Sequence, residues 1–454
     1  MHERTQQAIA RLLFVLCCAG PSCLTLGWIT LTNSDWYQSR TTERLEASIQ
    51  HSLGLIVEFE EHQHPAPNRW ILSNVTLRHP ETLVKIGRVR EIHWVNNSDE
   101  SRILLEQPEI EARHLTMFWE SIHNEILRRP QEFTSPISIA ANDLTIQNGN
   151  QAFTLSDLDA RLANSGNNSS LSAQLQLADQ LGQSPMMLEI LRDRGDHQDK
   201  QSPALITTVT LNTNGTPLPC SVLADFATPF EQLGQTASFT GQLRCQWTVD
   251  QWQLDLSGSR FESLELDRLF ENQSHRLSGT ASIQLDHCLI APHLNQSEIY
   301  GMLKASEGLI GKNLLHQASD HLKLRLLQTE LWSQYSGDVP YDIFSIGFTI
   351  SGTQLQLDGI CQNYAGYENY PKGTAIILNG YPLAQTTDES LESLRLLTTI
   401  APTHSVPVPL SQQTHWLTNI LLPPSRLSPP SLTTPPRIRS ARLWQGGPAV
   451  KQPQ

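Results

Sequence analysis

Charged residues are scarce in this sequence. Asp, Glu, Lys and Arg make up 17% of its 454 residues, against roughly 25% in an ordinary soluble domain. Positive charge is the scarcer sign, because 32 Lys and Arg face 45 Asp and Glu and leave a net charge of −13. A broad phosphate-binding face needs the opposite balance, so we expect no nucleic-acid partner.

Cysteine is also rare, with seven residues in the chain. Three of them lie in an apolar stretch near the N-terminus, where they act as small hydrophobes. The other four show no CxxC spacing: Cys220, Cys245, Cys288 and Cys361. These are too few for a disulfide scaffold in so long a chain, and the sequence does not choose a disulfide pairing among the four.

The motifs of common enzyme classes are missing as well. HExxH, GxSxG, GxGxxG and the P-loop do not occur. His287, Cys288 and His293 fit no closed zinc pattern. Asp157 and Asp159 are flanked by leucines and indicate a strand end rather than an acid/base pair. We therefore expect no catalytic residues, no metal ion and no cofactor.

A long uncharged run stands out near the N-terminus, where 23 residues from Leu12 to Ser34 carry no charge. A helix of this length spans the roughly 30 Å hydrocarbon core of a membrane. Arg4 and Arg11 precede the run and Asp35 follows it, so the positive-inside rule places the N-terminus in the cytoplasm and the rest of the chain across the membrane. An uncleaved anchor is favoured over a cleaved signal peptide, because no small-x-small cleavage site follows. The expected anchor residues are Leu12, Leu13, Phe14, Val15, Leu16, Leu24, Leu26, Trp28, Ile29 and Leu31.

The hydrophobic pattern changes after this run. Asp35–Leu53 has the spacing of one amphipathic helix, which Gly54 ends. Beyond Gly54 apolar residues alternate with Ser, Thr, Gln and Asp, as they do over residues 171–177 and 205–211. This period of two predicts a mainly β protein, built from an antiparallel sheet that has one apolar and one polar face. Turn sequences at Asn148-Gly149 and Ser351-Gly352 separate some of the strands, and a few short helices interrupt the pattern.

The last 54 residues, 401–454, have a composition of their own. They hold eleven of the 27 prolines and five Lys or Arg but no Asp or Glu. The segment therefore carries +5 and leaves −18 on residues 1–400. Such a composition predicts a basic, disordered tail.

Two regions of the chain together resemble a known family. The first joins the anchor and helix to the strand ending in Asn74–Thr82 and to the strand Ile86–Trp94. The second contains Leu277–Asp286, Gly308–Leu315 and the hairpin from Phe344 to Gly359. Over residues 30–110 and 275–380 the chain is similar to the AsmA-like envelope proteins, the bridge-like lipid transfer proteins of the AsmA, TamB and YhdP type.

This resemblance implies a fold, a location and a function. The fold is an elongated antiparallel sheet curled like a taco into a groove or half-barrel, whose apolar inner face holds acyl chains. The location is the bacterial inner membrane, with a single pass and the bulk of the chain in the periplasm. The function is to bind or conduct phospholipid, or another acyl lipid, in support of outer-membrane and envelope biogenesis.

The resemblance also divides the chain into regions. Residues 1–34 are the cytoplasmic stub and signal-anchor, and residues 35–130 are the AsmA-like N-terminal helix and first strands. Residues 131–275 form a central β repeat region, and residues 276–400 an AsmA-like C-terminal β region with a helix. The tail follows.

The apolar faces of two strand regions are the expected lining of the lipid groove. This lining consists of Trp252, Leu254, Leu256, Phe344, Ile346, Phe348, Ile350, Leu355 and Leu357. A closed sandwich filled by its own side chains is the alternative architecture. A non-catalytic assembly scaffold, which binds envelope proteins or cell wall through sheet edges and the basic tail, is the alternative function.

Overall fold

The computed structural model describes residues 14, 20–32, 34–97, 99–127, 135–149, 151–165, 168–178, 184–194, 205–224, 229–248, 251–270, 275–291 and 296–400. Within these ranges the protein is mainly β, so the predicted fold class is confirmed at this level. Residues 401–454, the predicted tail, lie outside the described residues.

The strands are numbered in chain order. The first ten are β1 Ile56–Glu58, β2 Glu61–Ala66, β3 Arg69–Arg78, β4 Lys85–Asn96, β5 Ser101–Glu111, β6 Ile137–Asn148, β7 Gln151–Ser165, β8 Asn168–Leu177, β9 Met186–Asp193 and β10 Ile206–Asn212. The next seven are β11 Leu218–Pro219, β12 Ser238–Thr240, β13 Gln242–Trp247, β14 Trp252–Asp255, β15 Ser259–Glu265, β16 Thr280–Ala291 and β17 Gln296–Gly311. The remaining described strands are β18 Arg325–Leu326, β19 Asp338–Ser351, β20 Gln354–Gly359, β21 Thr374–Leu378, β22 Tyr381–Gln385 and β23 Leu391–Glu392.

The helices are short apart from the second. They are α1 Gly20–Thr32, α2 Asp35–Leu53, α3 Leu115–Ser121, α4 Pro229–Gln232, α5 Leu266–Leu269, α6 Lys312–Leu322, α7 Thr329–Ser333 and α8 Leu394–Ile400. A π-helical turn, Ile122–Leu127, continues α3, and 3-10 turns occupy Ala112–His114, Cys220–Leu223 and Cys361–Asn363.

All the described strands are hydrogen-bonded into one sheet, which is not closed. From β3 to β10 each strand pairs with the next one in the chain. The order then continues from β10 to β13, β14, β16, β17 and β19. β1 and β2 both pair with β3 at one end, and β20 and β21 both pair with β19 near the other.

One strand pair departs from the antiparallel expectation. β5 and β6 run parallel, with Ser101 opposite Ile137 and Glu111 opposite Gln147. A parallel pair needs a crossover rather than a hairpin, and the chain between these strands includes α3 and the π-helical turn. The prediction of a purely antiparallel sheet was therefore wrong. The sheet is mixed, and the crossover brings a helical segment over one of its faces.

The predicted turns join the strands as expected. Gly149, with a φ of 59°, lies in the hairpin between β6 and β7, and Gly352, also with a φ of 59°, lies in the hairpin between β19 and β20. Gly241 does not lie in a hairpin turn. It separates β12 from β13 within one extended segment. Its φ of 132° favours glycine, and a Cβ at this position would lie 2.7 Å from the Ser259 Cα.

The predicted amphipathic helix is confirmed by α2. The Ser34 side chain accepts a hydrogen bond from the Tyr37 backbone N–H, and Gly54 ends the helix with a left-handed φ of 68°. Ile49 is buried in a cluster with Val57 and Val75. The helix therefore covers one face of the first strands.

The predicted membrane anchor is not decided by the structure. α1 is 13 residues long, and the described residues include no helix that is both long and apolar enough to cross a membrane. Four of the expected anchor residues lie outside the described residues: Leu12, Leu13, Val15 and Leu16. The anchor therefore stays a prediction.

The close approach at Gly359 gives a test of the packing. A Cβ at this position would lie 2.1 Å from the Gly373 carbonyl oxygen, whereas a Cβ at Gly337 would meet no atom within 4 Å. We expect Gly359→Ala to lower the free energy of unfolding by about 1–3 kcal/mol, because backbone must move to admit the methyl group. Gly337→Ala is the control and should change it by less than about 0.5 kcal/mol. Urea denaturation of both variants measures the difference, and equal stabilities would contradict this packing.

Candidate functional site

The expected groove residues lie on three strands at the C-terminal end of the sheet. Trp252 and Leu254 are on β14, with Leu256 just after it. Phe344, Ile346, Phe348 and Ile350 are on β19, and Leu355 and Leu357 are on β20. Ile350 pairs directly with Leu355, and Phe348 with Leu357. Paired residues of neighbouring strands point to the same face, so β19 and β20 share an apolar face.

Phe348 connects the two halves of the expected lining. It packs in one cluster with Trp252, Leu254 and Leu256, and also in the cluster that contains Leu355 and Leu357. The structure thus brings residues that are nearly one hundred positions apart onto one continuous surface.

Helices cover part of this surface. Leu355 is 0% exposed and Leu357 is 7% exposed, in a cluster that includes Leu322 of α6 and Leu396 of α8. Trp252, Leu254 and Phe348 are only partly buried. Their cluster is built from residues on β14 to β19 and the adjoining turns, with no contribution from the described helices.

The sheet register extends the apolar surface far beyond these residues. One row of directly paired side chains crosses eight strands, from β6 through β10 to β13, β14 and β16. We call it the first apolar row, and it consists of Ile137, Leu162, Leu171, Ile190, Val209, Cys245, Leu254 and Ile290.

A second row lies beside the first on the same face of the sheet, displaced from it by two residues on each shared strand. It crosses nine strands, from β3 to β10 and on to β13. This second apolar row consists of Trp70, Trp94, Ile103, Ile139, Ala160, Ala173, Leu188, Leu211 and Leu243. Apart from the buried Ala173, its members are only partly buried.

The other face of the same strands is polar. The residues that lie between the two apolar rows along each strand also pair directly with one another. They are Ser138, Arg161, Ser172, Glu189, Thr210, Arg244 and Asp255. The sheet is therefore amphipathic across many strands in succession, with its apolar side chains aligned in register.

The crossover segment covers a stretch of the apolar rows. Trp119 of α3 and Ile122 and Leu127 of the π-helical turn pack against Ile137 and Ile190. Since all the described strands belong to one sheet, this part of the chain provides no second sheet to cover the rows.

Sequence reasoning identified which alternate residues form the apolar faces of β14, β19 and β20. It did not identify the two apolar rows. The rows depend on register, and register depends on turns, bulges and the parallel β5–β6 pair. A signal was present in the alternation of residues 171–177 and 205–211. The pairing of Ile190 with both Leu171 and Val209 could not be read from that alternation.

Four cysteines behave as apolar residues: Cys220, Cys288 and Cys361 are buried, and Cys245 is partly buried. All five cysteines in the described part of the chain are free thiols. Burial raises the pKa of the Cys220 and Cys361 thiols to about 12 and that of Cys288 to about 11. Cys245, in the first apolar row, has its pKa raised to about 11 for the same reason. These thiols are poor nucleophiles at neutral pH.

One grouping of potential metal ligands was missed by sequence reasoning. His93 Nε2 lies 3.0 Å from a Glu91 carboxylate oxygen and 3.4 Å from one of Glu106. Arg69 Nη2 is 3.5 Å from His93 Nδ1. A guanidinium at Nδ1 favours the tautomer that carries its proton on Nε2, which then faces the carboxylates as a donor. The grouping is better explained as a charged network on the polar face than as a metal site.

The other dismissed candidates do not belong to a metal-ligand grouping in the described residues. The prediction that Asp157 and Asp159 mark a strand end was wrong, because both lie within β7. Asp157 has a left-handed φ of 51° at an irregularity in the β7–β8 register.

His287 packs near Tyr300. Its Nδ1 lies 3.3 Å from Ser257 Oγ and its Nε2 lies 3.6 Å from a Glu298 carboxylate oxygen. His293 lies outside the described residues. Comparison with known proteins adds no assignment, because no family model and no curated protein matches the chain.

The raised pKa of Cys245 gives a chemical test of its place in the apolar row. A thiol with a pKa of about 11 is roughly 0.1% thiolate at pH 8. We expect iodoacetamide at pH 8 to alkylate Cys245 about 100-fold more slowly in the native protein than in the urea-unfolded chain. Below pH 10 the native rate should rise about tenfold per pH unit. Peptide mass spectrometry measures both rates, and a native rate close to the unfolded one would contradict this placement.

Proposed function

We propose that this protein is a membrane-anchored, AsmA-like protein of the bacterial periplasm that binds or conducts phospholipid along the apolar rows of its sheet. In this role it supports the biogenesis of the outer membrane and envelope. The observation that carries the proposal is the alignment of apolar side chains in direct register over eight and nine strands.

The dimensions of the rows suit acyl chains. Seven spacings between the strands of the first apolar row, at about 4.8 Å each, give a path of about 34 Å. This exceeds the roughly 15 Å that one leaflet contributes to the roughly 30 Å hydrocarbon core. An acyl chain gains roughly 0.8 kcal/mol for each CH₂ group that leaves water. A lipid lying across the strands would contact one apolar row wherever the crossover segment does not cover it.

The partial exposure of the second apolar row distinguishes it from an ordinary core, whereas four of the eight residues in the first row are buried. In a closed sandwich the inward-facing residues are packed by a second sheet. Here most of the second apolar row is only partly buried, and no second sheet occurs among the described strands. Apolar surface that stays partly exposed over many strands is typical of a binding site.

Photo-crosslinking tests the proposal at matched neighbours. A photoreactive amino acid at Leu254 or Leu188 should capture phospholipid from cells, because both positions lie in the apolar rows. The same residue at Gln253 or Glu189 should not, because these positions point to the polar face. Mass spectrometry of the adducts measures the difference.

Equal capture of phospholipid at the apolar-row positions and at the polar-face positions would contradict lipid binding by this face. Absence of lipid at all four positions, with each variant folded, would favour the assembly scaffold instead. That alternative binds proteins through the open edges of the sheet, and it does not require the rows to hold lipid.

The anchor is tested by topology. The uncharged run after Arg11 predicts that the chain crosses the membrane once, with its N-terminus in the cytoplasm. An alkaline phosphatase fused after Ala401 should therefore be active, and a green fluorescent protein fused at the same position through the same export route should be dark. Fusions after Arg11 serve as the cytoplasmic control. Bright fluorescence at position 401 would contradict this topology.

A further inference from the structure

A polar row borders the first apolar row on the same face of the sheet. It is displaced by two residues from the first apolar row, on the side away from the second apolar row. It consists of Asn164, Ser169, Arg192, Thr207, Trp247 and Trp252. We call it the rim row. Ser169, Arg192 and Thr207 are at most 4% exposed, so polar groups and one charge are buried directly beside Ile190 and Val209.

Arg192 does not follow the alternation that places charged residues of these strands on the polar face. Strand alternation puts Arg161, Glu189 and Arg244 on the polar face. Arg192 instead shares the face of Ile190 and Leu188, since it lies two and four residues from them on β9. A cation on an apolar face costs free energy unless an anion or hydrogen-bond partners compensate it, and Arg192 has such partners within the protein.

A second guanidinium and an imidazole converge on the same place. Arg192 Nη1 lies 2.6 Å from His123 Nε2 of the π-helical turn. Arg194 Nη1 donates to Ser169 Oγ at 3.0 Å, and Arg194 Nη2 donates to the Leu127 carbonyl oxygen. Burial lowers the pKa of Arg194, as expected for a cation partly withdrawn from water.

The geometry points to a phosphate-binding site at the rim row, in which Arg192 and Arg194 hold the headgroup phosphate of a phospholipid while its acyl chain lies on the apolar rows. This inference rests on the proposed function and adds to it a site for the lipid headgroup. Guanidinium groups bind phosphate through paired N–H donors. Arg194 is the more exposed of the two and offers the approach from solvent.

The tryptophans of the rim row fit the same division of the face. Trp247 pairs directly with Trp252, and Trp252 packs in the cluster with Leu254. Tryptophan is enriched where apolar and hydrated regions of a membrane meet, because its ring is apolar and its N–H is polar. The rim row therefore combines the two residue types, arginine and tryptophan, that suit the boundary between headgroup and acyl chain.

Two photoactivatable lipids with identical acyl chains test the site. One is phosphatidylglycerol and the other is diacylglycerol, which lacks the phosphate. Both are titrated against the purified full chain in detergent. We expect phosphatidylglycerol to half-saturate labelling at about a tenfold lower concentration than diacylglycerol. The variant R192Q/R194Q should raise the phosphatidylglycerol value about tenfold and leave the diacylglycerol value unchanged.

Matched controls separate this effect from a loss of charge or of folding. R161Q/R244Q removes two cations from the polar face of the same sheet and should leave both values unchanged. R194Q changes only the more exposed arginine and serves if the double variant fails to fold. It should lose part of the preference for phosphatidylglycerol over diacylglycerol. R192K/R194K retains both charges but not the paired donors, and it should recover part of the preference.

The outcomes distinguish this inference from the function on which it rests. Labelling of the wild type by both lipids at equal concentration would overturn the phosphate site but leave lipid binding intact. Unchanged preference in folded R192Q/R194Q would also overturn it, because the arginines would then only hold the π-helical turn. Labelling by neither lipid would contradict the proposed function itself. Inorganic phosphate that displaces the phospholipid at an equal concentration would assign the site to free phosphate instead.

Discussion

The register of the sheet is the constraint on which the other features depend. Side chains alternate faces with a period of two, so a slip by one residue would move every apolar side chain of a strand to the polar face. The pairing of Ile190 with Leu171 on one side and Val209 on the other is the central example. The same register aligns the other residues of these strands. The apolar rows therefore depend on the hydrogen-bonded pairing of the strands as much as on their amino-acid composition.

Much of the local structure follows from the sequence. The alternation predicts strands, the Asn148-Gly149 and Ser351-Gly352 turns predict hairpins, and Ser34 and Gly54 bound α2 because each satisfies backbone groups at a helix end. The parallel pairing of β5 with β6 was not predictable. It brings together strands separated by a helical crossover, and no local pattern specifies which strand such a segment returns to.

The candidate site shows the same division between local and non-local information. The parity of Leu254 and Phe348 can be read from their neighbours, and so can their apolar character. Their meeting in one cluster depends on the order of β14, β16, β17 and β19, which is set by tertiary pairing. The coverage of Leu355 by α6 and α8 is likewise a tertiary feature. Arg192 looks like an ordinary surface charge in the sequence, and only its strand register reveals that it shares the apolar face.

The sequential pairing from β6 to β10 has a consequence for how such a protein changes length. Each strand from β6 to β9 is hydrogen-bonded only to the strands before and after it in the chain, which is the nearest-neighbour arrangement of repeat proteins. Gain or loss of one antiparallel hairpin between them would leave the pairings on either side intact, because two strands restore both direction and parity. The reach of the apolar face is therefore a modular property that can grow or shrink by about 10 Å per hairpin without redesign of either end.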